Sequence, residues 1–255
     1  MDIISKAKPE YKNIKNLLLT ALMPVGNTMY IYGGGWNLDD TGAGIDTRSI
    51  GLSPMWRDFY KKQDSTYNFR DYNHKIFPSV VHLGLDCSGY VGWVLYNVMN
   101  RRDMCYGFVD SAKKIASNLE KLGYGKLEER DKITNYIAGD IFSSSCNDCS
   151  HVFICIGKCC DGSLLLLHSS PPGVMLSGTV NINNSQNSIA INLSHIYMKK
   201  FYPHWYSRYS NCLNRDYSYL SHYDRFTWDA KLMTDEENYR NLKPDAILED
   251  LFATS

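Results

Sequence analysis

Two apolar segments, "HVFICIG" at 151–157 and "SLLLLHSS" at 163–170, are separated by "KCCDGS". This arrangement constrains the fold most. Each run has strand length, and the Asp-Gly step between them is a hairpin signal. The two runs therefore pair antiparallel, with "GDIFSS" at 139–144 as a further strand candidate. Upstream the periodicity is helical. Ile14, Leu17, Leu18, Ala21 and Leu22 recur at helical spacing within about 8–22, ahead of Pro24 and Gly26. Val91, Val94, Leu95 and Val98 form an apolar stripe on a helix beginning at Cys87. A further helix is expected over about 108–122, stopped by Gly123. Helices first and clustered strands after them predict an α+β fold with a small antiparallel sheet.

At 255 residues the chain is long enough to bury a substantial core. Residues 1–195 read as one catalytic domain carrying a long insertion at about 37–80, and residues 196–255 as an aromatic-rich C-terminal extension. Lys and Arg total 27 and so do Asp and Glu, which gives no reason to expect a nucleic-acid partner. No apolar run reaches the length of a transmembrane helix. Eight cysteines in this length do not make a disulfide-dense scaffold, so most are expected as reduced thiols in a cytoplasmic protein. Oligomeric state is not legible.

Within "HLGLDCSGYVGWVLYN" the tetrad Asp86-Cys87-Ser88-Gly89 breaks an apolar run at a helix start. Unsatisfied N–H groups and the helix dipole favour a thiolate there, and the Cys87 N–H is placed to donate to an oxyanion. The bland alternative is a capped helix with a buried, inert cysteine. A thiol nucleophile also needs a base and an orienter. His151 opens one strand of the expected hairpin and His168 lies near the end of the other, so pairing sets them opposite or nearly so.

Cys146-Asn147-Asp148-Cys149 with Cys159-Cys160 invites a zinc reading. The second pair is adjacent rather than spaced, which makes shared tetrahedral ligation awkward, and no metal or other cofactor is expected. "RRD" at 101–103 and "EERDK" at 128–132 read as solvated faces or helix ends.

"LDCSGYV", "GDIFSSSCNDCSHVFICIG" and "LLLLHSSPPGV", preceded by "GNTMYIYGGG", resemble the signature blocks of the NlpC-type cysteine peptidases, papain-like hydrolases of the NlpC and p-sixty superfamily. The resemblance spans about residues 14–175. It implies Cys87 as nucleophile, His151 as general base and acid, and His168 as the residue that orients His151. Tyr30 would stand beside the nucleophile. Asp86 and Ser88, with Trp36 at the start of the insertion, would contact substrate. The implied reaction cleaves an amide next to γ-D-glutamate in a bacterial cell-wall peptide. Two departures are visible: the insertion lengthens the link between the glycines and Cys87, and no wall-binding module is evident. No export signal is evident either, and recycling of released muropeptides inside the cell, or action on another amide or acyl substrate, is the expectation that fits its absence. An acyltransferase or other amidase on the same scaffold, and a silent muropeptide-binding module, are the competing readings. The insertion's aromatics, Trp56, Phe59, Tyr60, Tyr67, Phe69, Tyr72 and Phe77, are expected to pack on the rim of the cleft and narrow it.

Overall fold

A computed structural model describes residues 7–8, 11–36, 52–99, 108, 110–144 and 150–253. Among these residues the chain forms seven α-helices around one seven-stranded sheet. The helices are α1 (Ile14–Leu22), α2 (Pro54–Lys61), α3 (Cys87–Met99), α4 (Ile115–Lys121), α5 (Ile189–Phe201), α6 (Pro203–Tyr209) and α7 (Pro244–Phe252). The strands are β1 (Gly125–Glu128), β2 (Ile141–Ser144), β3 (Val152–Lys158), β4 (Leu164–Ser170), β5 (Gly173–Thr179), β6 (Asn214–Arg215) and β7 (Tyr223–Trp228). Their spatial order is β1-β7-β2-β3-β4-β5-β6. The α+β class is as expected, but the sheet is mixed rather than purely antiparallel, because β6 joins β5 in parallel.

Helix starts follow their caps. α1 begins six residues later than periodicity suggests, since the Asn13 side chain accepts the Asn16 N–H and caps the helix there. Asn16 also donates to the Lys8 carbonyl, which ties the preceding segment down without helix. α4 likewise starts at Ile115, after turns over residues 112–114.

The Asp-Gly turn closes the β3–β4 hairpin: Asp161 accepts from the Ser163 N–H and hydroxyl, and Gly162 takes a left-handed φ of +82°. A bulge between Cys155 and Gly157 then shifts the register. Ile154 pairs with Leu167. Continuing that register sets Phe153 opposite His168 and His151 two residues farther out on the same face. The two histidines expected to lie opposite or nearly so thus form a diagonal pair.

One sheet face carries Ile141, Ile154, Leu165 and Leu167 into the main core with α1 and α3, where Leu17, Leu18, Val91, Trp93, Val94 and Val98 are buried. The other carries a smaller cluster of Phe142, Phe153, Cys155, Leu164, Leu166 and Tyr223. The 196–255 segment supplies β6 and β7 of this same sheet, and β7 lies between β1 and β2. Asp140, from the Gly-Asp lead-in to β2, helps hold β7. It is buried, it accepts from the Thr227 hydroxyl at 3.1 Å, and it lies 3.7 Å from the Arg225 guanidinium. Burial still pushes its carboxyl up to about 7.

The insertion is partly core. Trp56 is fully buried edge-on to Trp93 at 6.0 Å, and Phe59 and Tyr60 are buried beside it. Phe59, Tyr67 and Tyr72 form an aromatic cluster. Phe77 departs from expectation and is 57% exposed. The insertion is strapped at two points: the Tyr67 hydroxyl donates to the Tyr30 carbonyl at 2.5 Å, and Arg208 of α6 donates to the Gln63 carbonyl at 2.8 Å. Its first part, 37–51, lies outside the described residues, as do 101–103 and the Cys146–Cys149 motif.

Candidate active site

Asp86 makes the start of α3. Its carboxylate accepts from the Gly89 N–H at 2.7 Å and the Ser88 hydroxyl at 2.8 Å, and its carbonyl takes the Tyr90 N–H at 3.0 Å. This is an N-cap, and it fixes Cys87 in the first helical turn. The Asp86 N–H in turn donates to the Gly34 carbonyl. Gly34 and Gly89 pack so closely that a Cβ on Gly89 would sit 2.3 Å from the Gly34 oxygen. The glycine block is therefore clamped against the start of α3 because neither residue carries a side chain.

Cys87 is buried, with its sulfur 4.0 Å from the Ser150 carbonyl and within hydrogen-bonding reach of the Val152 N–H. The backbone on both sides of His151 thus lies against the sulfur. His151 Nε2 is 2.9 Å from His168 Nδ1, and His168 Nε2 is 3.0 Å from the Ser177 hydroxyl on β5. His168 is fully buried and its ring stands edge-on to His151. His151, His168 and Ser177 therefore form one continuous hydrogen-bonded line, and the first turn of α3 sets the Cys87 sulfur against the backbone on either side of His151.

Electrostatics correct one expectation. Burial, followed by the charge of Asp86, pushes the Cys87 thiol up to about 12, outweighing the backbone N–H groups that favour the thiolate. Burial pulls His151 down to about 3, with Arg215 adding to the effect, and burial likewise holds His168 well below the ordinary imidazole value. Both partners rest neutral, so the helix start does not by itself produce a thiolate.

Asp86 and Ser88 both take part in the cap: the Gly89 N–H and the Ser88 hydroxyl donate to the same carboxylate oxygen, Asp86 Oδ1. Trp36 is corrected outright. It is 1% exposed and packs on Tyr96 at 4.4 Å, so it fills core rather than lining a groove. Tyr30 lies close enough to Cys87 and Asp86 for their charges to act on its phenol, which burial raises, and its ring meets Phe69 edge-on.

Three residues that sequence reasoning passed over surround the imidazoles. Tyr219 and Tyr223 pack edge-on to His151 at 5.6 and 6.3 Å, and the Arg215 guanidinium lies 6.0 Å from the Tyr219 ring. All three come from the region read as an extension, and Ser177 sits in a strand with no polar motif. The only available signal was the tyrosine density near 217–223. Among the described residues no cluster of His, Cys, Asp and Glu is arranged to hold a metal ion. Cys87, Cys155, Cys159, Cys160 and Cys212 are free thiols. No helix among the described residues is long and apolar enough to cross a membrane. No family model matches the chain, and neither a curated protein nor a solved structure does.

Proposed function

We propose that the chain is a papain-like thiol hydrolase of the NlpC type, cleaving an amide bond next to γ-D-glutamate in bacterial cell-wall peptides. One observation carries this reading: a helix-start thiol lies against the backbone flanking a histidine that is bonded, at 2.9 Å, to a second buried histidine. A structural cysteine has no need of such a relay.

The hydrogen bonds suggest the tautomers. If His168 Nε2–H donates to Ser177, its Nδ1 accepts from His151 Nε2–H, and the lone pair of His151 rests on Nδ1. As the sulfur attacks the carbonyl carbon, the thiol proton passes to that nitrogen. The carbonyl π pair moves to oxygen, where the Cys87 N–H receives it. The transfer creates two opposite charges side by side, and their attraction offsets part of the cost of burying each. The C–N bond then breaks, and the leaving amine takes the proton from His151. Water attacks the thioester and gives a proton to His151, which returns it to sulfur as the acid product departs.

The test is incubation with L-Ala-γ-D-Glu-L-Lys and mass spectrometry of the products. Two fragments summing to the peptide plus one water, absent with Cys87→Ala, are expected. An uncut peptide, or equal cleavage by Cys87→Ala, overturns the reading.

A further inference from the structure

The loop 69–75 packs against the glycine block and forms an open groove of about 270 Å³ with it, lined by Tyr32, Phe69, Arg70, Tyr72, Asn73, His74 and Lys75. Its composition is unusual for a chain of zero net charge. Arg70 and Lys75 bring two cations, and neither is in an ion pair among the described residues. The one carboxylate of the loop, Asp71, is turned to the Asn68 amide at 3.4 Å. The His74 ring lies beside Tyr32, centroids 5.5 Å apart and tilted by 33°, and its Nδ1 is buried without a hydrogen-bond partner among the described residues. Tyr32 itself is 59% exposed. Cations beside an open aromatic wall, with a ring nitrogen unsatisfied, form a receptor for an anionic group joined to something flat or apolar.

The groove also adjoins the candidate active site. Phe69 lines it and meets Tyr30 edge-on at 5.4 Å, and Tyr30 feels the charge of Cys87. An extended peptide covers ~3.3 Å per residue, so a group a few residues from the scissile bond reaches it. Resting on the hydrolase reading above, we infer that Arg70, Lys75 and His74 form a specificity subsite that binds a carboxylate of the substrate. The insertion then selects acidic peptides as well as packing against the core.

The experiment compares L-Ala-γ-D-Glu-L-Lys with its bis-amide, in which both the glutamyl α-carboxylate and the C-terminal carboxylate are neutralised. The wild type should favour the acid by about five- to tenfold in kcat/KM, as expected for partly exposed charge-assisted contacts. The preference should shrink toward one in Arg70→Ala/Lys75→Ala and with added salt. It should persist in Lys199→Ala/Lys200→Ala, which removes two cations from the end of α5. Arg70 and Lys75 are exposed, so their truncation leaves the core intact. An equal preference in the wild type and the Arg70/Lys75 variant, or no preference in the wild type, overturns the inference. Calorimetric titration of Cys87→Ala with both peptides separates this inference from the hydrolase reading, because it needs no turnover. Tighter binding of the acid, abolished by adding Arg70→Ala/Lys75→Ala, sustains the subsite even if neither peptide is cut. Equal binding of the two peptides, or none, removes it.

Discussion

At the scale of single residues the site is a chain of neutral groups, and this sets its response to pH. His151 is lowered to about 3 and Cys87 raised to about 12. A base with a depressed pKa is active above that value and lost as pH falls through it. A nucleophile with a raised pKa keeps its proton until pH climbs through its own. Hence kcat/KM should stay level from about pH 5 to 9, measured by initial rates on a cleavable peptide. A bell with an acid limb near 6.5 would contradict that charge state. Iodoacetamide should correspondingly alkylate Cys87 slowly at pH 6.5, the reverse of what its helix position alone suggests. His168 acts on the proton only through His151. His168→Ala should lower kcat about ten- to a hundredfold with KM little changed, and His168→Asn should recover part of the loss. Ser177→Ala should cost less, about tenfold, because His168 retains its contact with His151. The residues that carry this chemistry were legible as a helix-start thiol and two strand histidines. Ser177 was not, since a hydroxyl among small residues on an apolar strand carries no periodic or motif signal. Nor was the desolvation that reverses the thiol's expected pKa, because it depends on chain distant in sequence.

At the scale of elements, the insertion and the β3–β4 hairpin show how far local pattern reaches. The hairpin was readable because Asp161 and Gly162 dictate its turn, whereas the bulge before Gly157 was not, as it answers to contact with Pro244 on α7. Its consequence is the diagonal placement of the two imidazoles. The insertion was readable as aromatic but not as core. Trp36, in the loop after the glycine block, and Trp56, in the first turn of α2, differ from a groove residue only in what later packs on them. Removing the whole segment would therefore unfold the protein rather than open its cleft. Trp56→Ala should lower stability by about 3–5 kcal/mol in urea denaturation, the range for a large buried aromatic. Phe77→Ala, at an exposed position, should change it by less than about 0.5 kcal/mol. Similar losses for the two would mean that Trp56 does not anchor the insertion.

At the scale of the molecule, the chain is one sheet with helices set around it, and no boundary falls near residue 195. Sequence pattern located α1, α3, α4, β2, β3 and β4 in order, but it missed α2, β1 and β5 and could not place β6 and β7, because short elements lack both period and turn punctuation. Truncation after residue 195 should therefore give no cooperative unfolding transition by circular dichroism. A truncated chain that melts like the full one would show that β7 is dispensable. The position of β7 also has a bearing on biosynthesis. β1 and β2 emerge from the ribosome roughly 95 and 80 residues, respectively, before the strand that must slide between them. Until then their facing edges hold unmet backbone groups, and His151 lacks the tyrosines that will enclose it. Nascent chains should thus remain open to proteases and to pairing with one another until β7 has been made, and the site should be completed only after that strand is delivered.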